Sequence, residues 1–181
     1  MLIEADKSCL LVIDVQEKLY RAVHGYEQLV KHCSWLMELA NILEVQTLIS
    51  EQYPQGLGGT IDELKNISPL APVMDKTHFS CMASPTCQQH ILDTQKDHII
   101  VVGMEAHVCV LQTVMLLLAE GKQVFVVADA ISSRNPNDAQ VGIERMREAG
   151  AHIVTKEMVF FEWVHRSDHP KFRQLSKDFL Q

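Results

Sequence analysis

Six short apolar runs, separated by longer stretches of mixed polarity, constrain this chain more than any other feature of it. They fall at residues 9–14 (CLLVID), 45–50 (VQTLIS), 72–76 (PVMDK), 98–103 (HIIVVG), 123–128 (QVFVVA) and 152–154 (HIV). Several are apolar at consecutive positions instead of every second one, as strands covered on both faces are. Between them the apolar residues recur at helical spacing over 26–43, 86–94, 109–120, 137–148 and 170–180. The fourth of these has a clear start, with Asn135 placed to cap and Pro136 in the first turn, and Gly121 and Gly150 stand just past the third and fourth. Strand and helix in alternation predict an α/β fold: a Rossmann-like three-layer α-β-α sandwich around a six-stranded, mainly parallel sheet. Residues 51–59 (EQYPQGLGG), rich in Gly and Pro after a strand, read as a binding loop or an oligomer contact.

With 181 residues, 47% of them hydrophobic, the chain suits a single domain, residues 1–181, better than two. A net charge of −7, with Lys and Arg scattered, gives no footprint for nucleic acid or an anionic membrane. Small molecules become the expected partners. Acidic residues stand early in the chain and no apolar run reaches about 18 residues, so a signal peptide and a membrane span are not expected, and a cytoplasmic location is. The five cysteines, Cys9, Cys33, Cys81, Cys87 and Cys109, show no C-x-x-C pair and read as free thiols. A free cysteine is ordinarily a small buried hydrophobe, so any reactive one must be argued on its own position.

In open α/β sheets ligands bind where strands end, and three residues draw attention there. Asp14 ends the first run, Lys76 ends the third, and Cys109 opens the helix after the fourth. Singly, Asp14 fits a turn and Lys76 a solvated surface. Together they supply a carboxylate, an ammonium and a thiol to one sheet edge. A helix N-terminus and a neighbouring lysine would lower the thiol pKa. A carboxylate can take the thiol proton and return it to a leaving amine. Backbone N–H groups in the turn 104–109 can receive a developing oxyanion.

The stretches LLVIDVQEKL (10–19), DKTHFS (75–80), VVGMEAHVCVLQT (101–113) and VADAISSRNPND (127–138) resemble the isochorismatase-like cysteine hydrolases. EQYPQGLGGT and EAHVCVLQT look most like the branch called isochorismatase domain-containing proteins. The resemblance implies the isochorismatase-like hydrolase fold and a triad of Asp14, Lys76 and Cys109. It also implies a cis peptide between Met104 and Glu105, with the Glu105 and Cys109 N–H groups forming the oxyanion hole. The expected activity is cofactor-independent hydrolysis of a small amide or related C–N bond through a thioester.

Departures from the family narrow this. Nicotinamidases carry an Asp-x-His…His metal site after the second strand, where this chain has EQYPQGLGG without histidine, so no catalytic metal is expected. Cys109 stands where the enzyme that names the family has no cysteine, which argues against isochorismate. Ala106 replaces a threonine common in relatives. GLGGT at 56–60 lacks the Lys-Ser/Thr of a phosphate loop, and no cofactor is expected.

Gln16, Tyr53, Phe79 and His107 are candidates for the substrate pocket, with Trp163 a weaker one. His78 and His107 are more simply structural than catalytic. Asp129 and Arg134 read as an ion pair beside the cleft. A non-catalytic oligomeric scaffold is the alternative function, with a subunit contact at residues 160–181, where Phe160, Phe161, Trp163, Phe172 and Phe179 cluster. Either way a homo-oligomer is expected.

Overall fold

The structure, a computed structural model, describes residues 1–180. The strands are β1 (Ser8–Ile13), β2 (Gln46–Gln52), β3 (Val73–Lys76), β4 (His98–Met104), β5 (Gln123–Ser132) and β6 (His152–Val154). They form one sheet in the order β3-β2-β1-β4-β5-β6, and every neighbouring pair is parallel. The helices are α1 (Tyr26–Ile42), the short α2 (Pro54–Leu57) and α3 (Asp62–Lys65), α4 (Pro85–Asp93), α5 (Leu111–Ala119), α6 (Pro136–Glu148), α7 (Lys156–Val164) and α8 (Phe172–Phe179).

The consecutive apolar residues of each strand feed two cores, because successive side chains point to opposite faces. Leu10, Val12, Ile100 and Val102 join α1 and α7 on one face. Cys9, Leu11, Ile13, Ile99 and Val101 join α4, α5 and α6 on the other. On α1 the buried positions Leu29, Val30, Cys33, Leu36, Met37 and Ala40 follow helical spacing. Full burial of Leu36, Met37 and Leu39 stabilises by about 1.5–3 kcal/mol per side chain, so packing holds this helix more than propensity does. Asn135 caps α6 as expected, its side chain accepting from the Asn137 N–H at 2.9 Å.

Several boundaries differ from expectation. β5 continues to Ser132, past a register shift against β4 between Val101 and Gly103. Asp129 therefore lies within the strand and its Oδ2 is 3.7 Å from His32 Nδ1, while Arg134 pairs with Glu105; the two do not pair with each other. Helix α7 was not anticipated, since its aromatic run follows β6 after one residue, Thr155, whose hydroxyl accepts from the Met158 N–H at 3.3 Å. The terminal aromatics are mostly core: Phe160 and Trp163 are buried, Phe172 and Phe179 pack against the same cluster, and Phe161 is 47% exposed. Among the described residues, no helix is long and apolar enough to cross a membrane.

Candidate active site

The chain leaves β1 for β2 and β3 on one side and later returns to β4, beyond which β5 and β6 lie on the other. Neighbouring strands whose connections diverge leave a crevice at their carboxyl ends. Gly103 sets how closely those ends approach. At φ +111°, an added Cβ would lie 2.1 Å from the Ile13 carbonyl oxygen, so only glycine fits.

Asp14 is the first residue past β1 and has a left-handed backbone, φ 53°. Its N–H donates to the Ser50 carbonyl at 3.1 Å. Its carboxylate is held by two donors, Ser50 Oγ to Oδ1 at 2.7 Å and Lys76 Nζ to Oδ2 at 2.7 Å. Lys76, at the end of β3, reaches across β2 to do this and also donates to Gln52 Oε1 at 2.7 Å. Asp14 is 2% and Lys76 3% exposed. Such burial is tolerable because the two charges and their remaining hydrogen-bonding capacity are matched. Burial is the largest single influence on the Lys76 ammonium and opposes it, but the Asp14 carboxylate together with Cys109 and Cys81 more than offsets it, and the Lys76 pKa is raised.

Gln52 is fixed in turn. Its Nε2 donates to the Thr77 carbonyl at 2.9 Å, and its N–H donates to Gln16 Oε1 at 2.7 Å. The fully buried Gln16 returns two bonds, to the Gln52 and Gly58 carbonyls at 3.0 and 2.7 Å. Gln16 thus ties β1 to the loop that follows β2.

Cys109 arrives from β4 through a cis peptide at Met104–Glu105 and a π-helical turn, Ala106–Val110, before regular α5 begins. It does not open the helix, as the apolar spacing implied; it sits inside this turn. Three contacts hold the turn. Glu105 Oε2 accepts from Arg134 N–H and Nε at 3.0 and 3.1 Å, and His107 Nδ1 is 2.8 Å from the buried Ser133 hydroxyl. Gly142 of α6 packs so closely that a Cβ would meet the Ala106 oxygen and the His107 Cα at 3.2 Å.

A cavity of about 150 Å³ joins these parts. Asp14 and Cys109 both line it, beside Gln52, Glu105, Phe79 and the aliphatic walls Leu19, Leu57, Met104 and Val108. Burial, then the facing Asp14 carboxylate, push the Cys109 thiol up, and Lys76 only partly opposes them. The direction is opposite to the lowering expected from a helix start and a lysine, because burial acts most strongly on the thiol and the Lys76 charge is already engaged by Asp14. Cys81, behind the site, is likewise pushed up to about 12, first by burial and then by Asp14.

Of the pocket candidates, Phe79 lines the cavity at its half-exposed rim. Tyr53 and His78 line a separate hollow beside Lys76, Gln16 is buried behind the wall, and His107 faces Ser133. Ser50, Gln52 and the Glu105–Arg134 pair went unnoticed in the sequence. Gln52 ends β2 in register with Lys76, a relation that only the folded sheet reveals. A larger open groove, about 710 Å³ between residues 41–47 and 67–72, lies at the amino end of β2 and contains none of these groups.

A doubly wound parallel sheet, with a carboxylate–ammonium pair and a thiol around a cavity at its switch point, defines a three-layer isochorismatase-type hydrolase fold. The isochorismatase domain profile matches residues 8–158, and the chain belongs to that family. It is 39% identical over 174 residues to isochorismatase domain-containing protein 2 of Homo sapiens, covering 94% of this chain and 82% of the relative. The structure described as the MAR1 ribonuclease of Caenorhabditis elegans superposes with a TM-score of 0.93 at 38% identity, over 100% of this chain and 93% of that one. The YcaC protein of Escherichia coli, described as an octameric hydrolase of unknown specificity, shares the fold with a TM-score of 0.87 at 24% identity, over 100% of this chain and 98% of that one.

Proposed function

We propose that the chain is a cofactor-independent cysteine hydrolase that cleaves a small amide or related C–N bond, with Cys109 as nucleophile. One observation carries this: the Cys109 thiol and the Lys76-bound Asp14 carboxylate line the same cavity.

As the Cys109 sulfur adds to the carbonyl carbon, its proton passes to Asp14, which suits a thiol whose pKa burial has raised. The oxyanion accepts from the Glu105 and Cys109 N–H groups. One such donor is worth about a hundred- to a thousandfold in rate. The C–N bond breaks as Asp14 delivers the proton to the departing nitrogen. Water, deprotonated by Asp14, then adds to the thioester, the C–S bond breaks, and the thiol regains its proton. The balance is amide plus water to carboxylic acid plus amine. Lys76 pairs with Asp14 and aims it, and Gln52, itself held by Gln16, keeps Lys76 in place.

The ribonuclease name of the C. elegans relative opens a second reading, with RNA as substrate. Against it stand the −7 charge and the engagement of Lys76 by Asp14 and Gln52, which leaves a phosphodiester no free ammonium at the cavity. The protein is read as a homo-oligomer in a reducing, cytoplasmic setting, with five free thiols and the half-exposed Phe161 and Met158 on α7 as the apolar face for assembly. A scaffold without chemistry would share that face.

The test is a panel of small amides assayed for amine release with the wild type and Cys109→Ser. Turnover that falls about a thousandfold or more in the variant is expected. Full activity in Cys109→Ser removes the nucleophile, and an inert panel together with an unreactive Cys109 favours the scaffold.

A further inference from the structure

The chemistry of the cavity walls limits the substrate beyond its scissile bond. We infer that this site accepts an uncharged amide with a short aliphatic acyl chain of about three or four carbons, and excludes substrates bearing a carboxylate; this rests on the hydrolase reading above.

Size comes first. A cavity near 150 Å³ with apolar walls is about large enough for a benzene ring, roughly six non-hydrogen atoms. The amide carbon, oxygen and nitrogen occupy three of those places. What remains is a short hydrocarbon stub, and a pyridine ring bearing an amide does not fit.

Charge comes second. The two carboxylates among the lining residues already have partners, Asp14 in Lys76 and Glu105 in Arg134, and no cationic side chain lines the cavity. An anionic substrate would lose its hydration among two carboxylates with no counter-ion, which is strongly unfavourable. A cationic one would find Asp14 already engaged by Ser50 and Lys76.

Hydrogen bonding comes third. Gln52, the amide side chain in the lining, spends its Oε1 on Lys76 and its Nε2 on the Thr77 carbonyl. Leu19, Leu57, Phe79, Met104 and Val108 supply the apolar walls, and a hydroxyl or ring nitrogen set against them would go unpaired. The polar contacts are confined to the reacting amide.

Two measurements on the intact protein test this. In the first, alkylation of Cys109 by iodoacetamide and by iodoacetate is followed by mass spectrometry at one pH, and the rate ratio is divided by that of free cysteine. A preference for the neutral reagent of about tenfold or more beyond free cysteine is expected. In the second, hydrolysis of acetamide, propionamide, butyramide, hexanamide and succinamate is compared. kcat/KM is expected to peak at propionamide or butyramide and to fall about tenfold or more for hexanamide and succinamate. Leu57→Ala is expected to move the optimum toward hexanamide. Iodoacetate reacting as readily as the free-cysteine ratio predicts, or succinamate or hexanamide turned over as well as propionamide, overturns the substrate class and leaves Cys109 as nucleophile. Selective alkylation with no amide hydrolysed overturns the amide class. A Cys109 that reacts with neither reagent overturns the hydrolase reading and this inference with it.

Discussion

Asp14 serves two charges of opposite sign: it neutralises Lys76 at 2.7 Å and raises the barrier to ionising Cys109. Removing only its charge separates these roles. In Asp14→Asn the thiolate no longer faces a carboxylate while Lys76 remains, so the Cys109 pKa should fall. The pH profile of Cys109 alkylation is expected to shift to lower pH while amide turnover is lost, since an amide cannot take the thiol proton. A profile that stays put or moves up contradicts the opposition drawn between carboxylate and thiol. Lys76→Met leaves Asp14 buried without a counter-ion, which costs about 3–5 kcal/mol. Combining it with Asp14→Asn removes the orphaned charge, so the double variant should recover most of that loss in urea denaturation. Equal stability of single and double variants would mean that the pair's electrostatics do not govern this part of the fold.

At the scale of elements, the cavity exists because the ends of β1 and β4 are drawn together at Gly103. Gly103→Ala meets a backbone atom, the Ile13 carbonyl, and a positive φ, and neither can be relieved by rotating a side chain. A loss of about 3 kcal/mol or more in unfolding free energy is expected, with weaker Cys109 alkylation selectivity as the strands part. A loss below about 1 kcal/mol would place the constraint elsewhere. β1 and β4 were legible because burial on both faces wrote them as nearly unbroken apolar runs, and Asp14 and Lys76 were legible because each ends a short strand-like run. Ser50 and Gln52 were not, since their role depends on register: Ser50 pairs beside Ile13 and Gln52 beside Lys76, and register is absent from a single strand's sequence. The π-helical turn was hidden for a related reason. Apolar spacing identifies α5, but Glu105, Ala106 and His107 take their conformation from Arg134, Gly142 and Ser133, residues far away in the chain.

Across the whole molecule, the two cores that hold the sheet also bury thiols, and this sets an alkaline limit on stability. Cys9 and Cys33, both fully buried and away from the cavity, have pKa values pushed by burial from 9.0 up to about 12. The folded state keeps these protons over a range where the unfolded chain has released them. Since the unfolded state then binds fewer protons, stability is full below about pH 9 and falls as pH rises toward 12, by about 1.4 kcal/mol per pH unit for each such thiol. Lys76 adds the same sign later, because its raised pKa keeps a proton that the unfolded lysine begins to lose near its ordinary value of 10.5. Urea unfolding measured from about pH 8 to pH 11 should therefore show a steep decline. In Cys9→Ala/Cys33→Ala the absolute stability at neutral pH drops through lost packing, but the slope between about pH 9.5 and 11 should lessen by about 3 kcal/mol per pH unit. The slope, and not the starting value, decides the matter. An unchanged slope would mean that these two thiols ionise as readily inside the sheet's cores as in the unfolded chain, and that the alkaline limit belongs to Lys76 and the site around it.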